Sequence, residues 1–156
     1  MRLIKFSIIF LAFIILLQSC NTIDLYEQTI PIPKHAWNSN LRLNFTSVIK
    51  DSTGYYNIYF VLRHSESYHF NNIWIDFTAA FPNDTARTQR LNFQLATGNG
   101  WLGTAMDDII EQRLLINKQP IRLHAGTYKF SLVQIMREDP LQNILNAGIR
   151  IEKVVQ

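Results

Sequence analysis

Cysteine is nearly absent from this chain: Cys20 is the only one among its 156 residues. No internal disulfide can form, so the fold must be stabilised by burial of its apolar side chains. No run of Lys or Arg offers a stripe for phosphates, which excludes nucleic acid as an expected partner. There is no G-x-S-x-G, no H-E-x-x-H and no P-loop, so the common hydrolase, zinc-protease and nucleotide-binding signatures are missing. No internal repeat or low-complexity stretch divides the sequence. What the chain has in quantity is aromatic and aliphatic mass, with ten Phe, six Tyr and three Trp. That supply is ample for the core of one domain.

The first twenty residues have an organisation of their own. Arg2 and Lys5 form a short basic start, and Ile8 to Leu17 contains no polar residue. Ten residues of helix span about 15 Å, half the roughly 30 Å of bilayer hydrocarbon. The segment therefore reads as a signal-peptide core and not as a permanent membrane span. Leu17-Gln18-Ser19-Cys20 follows directly and resembles a bacterial lipobox, in which the cysteine thiol accepts a diacylglycerol and becomes the first mature residue. Several acyl chains on one residue suffice as an anchor, since each buried methylene contributes about 0.8 kcal/mol and one chain alone holds only marginally. The expected organisation is a lipoprotein signal peptide over residues 1–19, a lipidated N-terminus and tether over 20–40, and a β-sandwich domain over 41–156. Without Arg2 and Lys5, thirteen basic residues stand against twelve acidic ones. The mature chain is thus almost neutral.

From residue 41 onward the apolar residues recur with a period of two. Leu41, Leu43 and Phe45 alternate with Arg42, Asn44 and Thr46, and Asp51-Ser52-Thr53-Gly54 reads as a hairpin turn. Tyr56, Ile58, Phe60 and Leu62 mark the clearest strand. Ile73, Ile75, Phe77, Ala79 and Phe81 share one face of another, with Trp74, Asp76 and Thr78 on the opposite one. Leu91, Phe93 and Leu95 mark a fourth. The stretch Gly98 to Gly103 is too glycine-dense for regular structure. Residues 105–118 suggest a short turn of helix followed by a strand. Ile121-Arg122-Leu123 and Tyr128 to Leu132 read as strands joined by a tight turn at Ala125-Gly126. A short helix is expected over Leu141–Asn146, and Gly148–Val155 closes the chain as a strand. About eight strands with one apolar face each predict an all-β fold, an antiparallel β-sandwich of jelly-roll-like order.

Groups able to carry chemistry are few. His64 and His69 flank Glu66 at a strand end, a spacing unspecific for metal, and solvated turn histidines are the expectation. His35 lies in the tether and His124 beside a turn. Asp107-Asp108 with Glu111 offers hard oxygen ligands but lacks the spacing of a calcium loop. No catalytic residue, metal or cofactor is expected. The loop around Trp101 and Leu102, with Asp107 and Asp108 close behind, is the candidate partner-binding site. A tryptophan between glycines either plugs the end of a core or presents an aromatic anchor to a protein or a sugar ring.

One family is carried by residues spread over the whole mature chain. They are Cys20, Tyr26-Glu27, Trp37, Tyr56-Asn57-Ile58-Tyr59 with Leu62-Arg63, Asn72 and Phe81-Pro82-Asn83. After them come Trp101-Leu102-Gly103 with Asp108-Ile109, Gly126 to Phe130 with Gln134 to Arg137, and the closing Gly148 to Glu152. In this order and spacing the chain resembles the gliding motility lipoproteins of the GldH family of Bacteroidetes. The resemblance implies a non-enzymatic envelope lipoprotein that supports gliding and the associated type IX secretion machinery through contacts with other envelope proteins. It implies no catalytic residue. A glycan-binding sandwich, with Trp74 and Trp101 as platforms, is the alternative. Surface-exported lipoproteins of that phylum carry an acidic run after the cysteine. Asn21-Thr22-Ile23-Asp24 has one acid, which implies the outer membrane's periplasmic leaflet.

Overall fold

The computed structural model describes residues 25–154; the signal segment 1–19, Cys20 and residues 21–24 lie outside them. In chain order the strands are β1 (Leu25–Pro31), β2 (Ala36–Trp37), β3 (Leu43–Ile49), β4 (Tyr55–Ser65), β5 (Asn72–Ala80), β6 (Arg87–Gln94) and β7 (Ala96–Thr97). They continue with β8 (Gly100–Trp101), β9 (Thr104–Met106), β10 (Ile109–Leu115), β11 (Ile121–Arg122), β12 (Gly126–Gln134), β13 (Leu141–Gln142) and β14 (Ile144–Lys153). Eight of these are long, and they make two four-stranded antiparallel layers, β1-β14-β4-β10 and β3-β12-β5-β6. The pairing is nested. The first long strand pairs with the last, the second with the seventh, the third with the sixth and the fourth with the fifth. That is the order of a jelly roll. The six remaining strands are two or three residues long and trim the edges and ends.

Alternation explains the layers. β3 buries every second residue from Leu43 to Ile49, and β4 turns Tyr56, Ile58, Phe60 and Leu62 inward. Facing them are Ile73, Ile75 and Phe77 of β5, Phe130 and Leu132 of β12, and Ile149 and Ile151 of β14, all at least nine-tenths buried. The ring of Phe60 lies 5.8 Å from that of Phe93 across the core. Pro31 sits in β1, whose outer edge has no partner strand among the described residues, where a missing N–H breaks no ladder. Gly148 is required opposite Thr29 of β1: a Cβ there would stand 2.3 Å from the carbonyl oxygen of Gln28.

Several expectations are corrected. The sandwich starts at Leu25, so most of the tether expected over 20–40 belongs to the fold, with β1 paired to β14 over seven residues. Asp51–Gly54 is a turn but not a hairpin, because β3 and β4 belong to different layers; the same holds for Ala125-Gly126. The turn residues bend the chain locally, while the apolar faces send each arm to the opposite layer. No helical turn forms after residue 105. Asp107-Asp108 is the two-residue loop of a hairpin between β9 and β10, with Asp107 at φ 53°. Leu141–Asn146 is not a helix either, since Leu141 and Ile144 are buried on the short strand β13 and the start of β14.

The outer face of the β1-β14-β4-β10 layer, which β9 and β11 extend into the larger of the two, is covered by charges of alternating sign. Glu111 pairs with Arg63 and Arg113, Glu27 with Arg150, and Arg150 with Glu152. Exposed pairs of this kind contribute little stability each, yet together they leave this face solvated and neutral. The expected outcome of Phe60→Ala is a loss of about 3–5 kcal/mol of unfolding free energy, read by urea denaturation. A loss below about 1 kcal/mol would contradict the packing described.

Candidate functional site

β4 carries the site's inner wall. Its inward series continues by two residues past Leu62 to His64, which is fully buried. The expectation of a solvated turn histidine is therefore wrong for His64: its position in phase with Tyr56 to Leu62 places it in the core. Its Nδ1 lies 2.9 Å from the carbonyl oxygen of Ser65, and its Nε2 lies 3.2 Å from the amide nitrogen of Gln112. This pattern fits the neutral ring, with Nδ1–H donating to Ser65 and Nε2 accepting from Gln112. Burial also pushes the imidazole pKa down. The Gln112 amide donates a second bond, 3.0 Å long, to the carbonyl oxygen of Leu95. That oxygen also accepts the N–H of Leu102 at 2.8 Å. A buried chain of polar contacts thus runs from β4 through β10 to the loop holding Trp101 and Leu102.

The glycine-dense stretch is more regular than its composition suggests. Ala96 pairs with Trp101 and Thr97 with Gly100, so Gly98-Asn99 turns a miniature hairpin. Gly100 at φ 114° allows that turn. The indole of Trp101 is half-buried, its centroid 4.6 Å from the His64 ring in an edge contact. Trp101 therefore helps close the core while keeping part of its surface open. Beyond it Leu102 is 40% exposed and Met106, on β9, is 72% exposed. Asp107 and Asp108 stand exposed at the hairpin tip, and Glu66 donates its N–H to the Asp108 carbonyl at 2.9 Å. The four residues expected to form a partner-binding loop lie along one stretch at one end of the sandwich, with Met106 added. Met106 was legible only as one apolar residue of the expected helical turn.

The remaining candidates are dispersed. Glu111 points to the outer face, in the pairs with Arg63 and Arg113, away from the Asp107-Asp108 tip. His69 is exposed and paired with Glu138 at 2.9 Å, apart from the buried contacts of His64. Among the described residues no group of three His, Cys, Asp or Glu side chains is placed to hold a metal ion. On the outer face of the smaller layer Trp74 is 39% exposed. It lies beside a shallow groove of about 410 Å³ lined also by Asn72, Arg90, Ile135, Met136 and Arg137.

The sequence profile of the GldH lipoprotein family matches residues 24–151. A "gliding motility lipoprotein GldH homolog" of Christiangramia forsetii is 30% identical over 153 residues, covering 93% of each chain. The "gliding motility lipoprotein GldH" of Flavobacterium johnsoniae is also 30% identical, covering 96% of this chain and 98% of its own. Among solved structures, Caldicellulosiruptor saccharolyticus CBM27-1 in complex with mannohexaose aligns over 83% of this chain and 73% of its own, at 12% identity and a TM-score of 0.40. That likeness is too loose to carry a function.

The His64 contacts have a measurable consequence. Because its folded pKa lies below the ordinary value of about 6.5, the unfolded chain takes up a proton that the folded chain refuses. The contribution is complete above pH 6.5 and is lost as the pH falls below it towards the folded value. Unfolding free energy should therefore decline from pH 7 to pH 5, by at most about 1.4 kcal/mol per pH unit from this one proton. Denaturation at several pH values should show a flatter profile for His64→Gln; an unchanged slope would contradict the buried neutral ring.

Proposed function

Because the chain belongs to the GldH lipoprotein family, we propose that it serves gliding motility as a non-catalytic domain, tethered to the membrane and docked to other envelope proteins. The observation that carries this reading is the extent of the match. The family profile runs through the whole jelly roll, and two relatives named as gliding motility lipoproteins align over more than nine-tenths of their length. The tether is Cys20, acylated on its sulfur and its new amine, in the periplasmic leaflet of the outer membrane. The lipobox and the single acid in residues 21–24 support that placement. Support of type IX secretion belongs to the same proposal.

Protein docking rather than catalysis is supported by where the side chains stand. The carboxylates and histidines that could do chemistry face different ways, whereas Trp101, Leu102 and Met106 each offer apolar surface at one end. Trp101, half-buried on the β7–β8 hairpin, loses little conformational entropy when a partner covers it. A second reading, a glycan-binding module, is favoured by one observation, the open face of Trp74 beside its groove.

One experiment separates the two. In a gliding host lacking its own copy, wild type and Trp74→Ala should restore colony spreading, while Leu102→Asp with Met106→Asp should not. A photo-crosslinking residue at position 102 or 106 should capture reproducible envelope proteins. Failure of Trp74→Ala to restore spreading, with full activity of the Leu102/Met106 variant, would reverse the choice.

A further inference from the structure

The nested antiparallel order sorts every long connection to one of two ends. At the first end residues 50–54, 81–86 and 116–125 gather beside the start of β1 and the end of β14. Leu25 pairs with Glu152 there, the Val154 N–H bonds to the Tyr55 carbonyl at 2.8 Å, and Arg122 donates to the Ser52 carbonyl at 3.2 Å. The other end gathers residues 32–42, 66–71, 95–108 and 135–143, including the Trp101 loop. Eleven residues of β4 separate the two, about 35 Å at strand rise.

The two ends differ in chemistry. Around the rim of the first, Val48, Tyr55, Phe81 and Leu115 are 61%, 42%, 37% and 44% exposed, four of the seven large apolar side chains exposed among the described residues. Both acids in its connections are occupied, Asp51 by Lys153 and Asp84 by Arg87. Lys50, Lys118 and Arg122 are exposed there, and none is paired with a carboxylate among the described residues. The second end holds five carboxylates, Glu66, Asp107, Asp108, Glu138 and Asp139, against Lys34, Arg42 and Arg137. A rim of aromatic and aliphatic groups interleaved with lysine and arginine is the composition that suits a lipid headgroup layer.

We propose that the end bearing Val48, Tyr55 and Phe81 with Lys50, Lys118 and Arg122 rests on the anionic headgroup surface of the bilayer. The Trp101 end then stands about 35 Å away, facing its partners. This orientation rests on acylation of Cys20 as proposed above. Only four residues separate Cys20 from Leu25, and the five steps between them span at most about 18 Å of extended chain. The basic end is therefore held near the lipid, and seating that end on the headgroups carries the acidic end away from it. Attraction to anionic lipid contributes a factor of roughly five per cation near the surface, and the exposed apolar rim adds to it.

The test uses the full-length acylated protein in vesicles of phosphatidylethanolamine and phosphatidylglycerol containing a headgroup-quencher lipid. A fluorophore is attached at Gln119→Cys on the basic end or at Ser67→Cys on the acidic end. The label at position 119 should be quenched several-fold more strongly than the one at 67. That difference should shrink in Lys50→Glu/Lys118→Glu/Arg122→Glu, and also in the unaltered protein at 1 M salt, where the screening length falls to about 3 Å. Equal quenching at both positions in protein that floats with the vesicles would overturn the orientation and leave the acyl anchor standing. Protein that fails to float would overturn both.

Discussion

The ladder between Leu25–Pro31 and Ile144–Lys153 is the constraint on which the rest of the structure depends. It closes a roll of eight strands by joining the first to the last. It also brings the beginning of the described chain to the same end as its close. With no disulfide available, this ladder and the two-layer core must hold the roll together. Close approach of the two strands is possible because Gly148 has no Cβ to meet the Gln28 carbonyl, and because Pro31 stands on an edge that needs no donor. Since β1 starts five residues after Cys20, the same ladder decides which end of the sandwich lies nearest the proposed anchor.

From that constraint follows a division of labour along the long axis. The outer face of the larger layer is a neutral lattice of Arg and Glu, well suited to water. Distinctive chemistry is left to the two ends and to the Trp74 groove. The end distant from the anchor holds Trp101 against a buried, neutral His64, and the Gln112 amide ties both to the backbone of the loop. An apolar surface presented on such a bonded support is already ordered before a partner arrives. The enzymatic alternative finds no comparable assembly among the described residues.

How much of this was legible beforehand depends on range. Local alternation located the long strands, because burial in a two-layer sheet follows a period of two: Leu43 to Ile49 and Tyr56 to Leu62 behave as their pattern predicts. A jelly-roll-like order was expected, but which strand joins which was not legible, because a turn such as Asp51–Gly54 has the same chemistry whether its arms pair with each other or cross between layers. The helical reading after residue 105 failed because Met106, Ile109, Ile110 and Arg113 happen to fit helical spacing, while pairing of Ile109–Leu115 with β4 won in the folded chain. His64 could have been placed by extending the alternation two residues. Its polarity hid it, since a histidine enters a core only with partners such as Gln112 that no local pattern reveals. Met106 stands exposed through hairpin geometry alone.

The account's central claim is that this jelly roll works from a lipid tether at its first mature residue. Mass spectrometry of the N-terminal peptide, taken from protein purified out of its own envelope, tests this most directly. The account predicts a chain that begins at Cys20, with diacylglycerol on the sulfur and a fatty acid on the amine. A free Cys20 thiol, or a chain that begins at another residue, would contradict it.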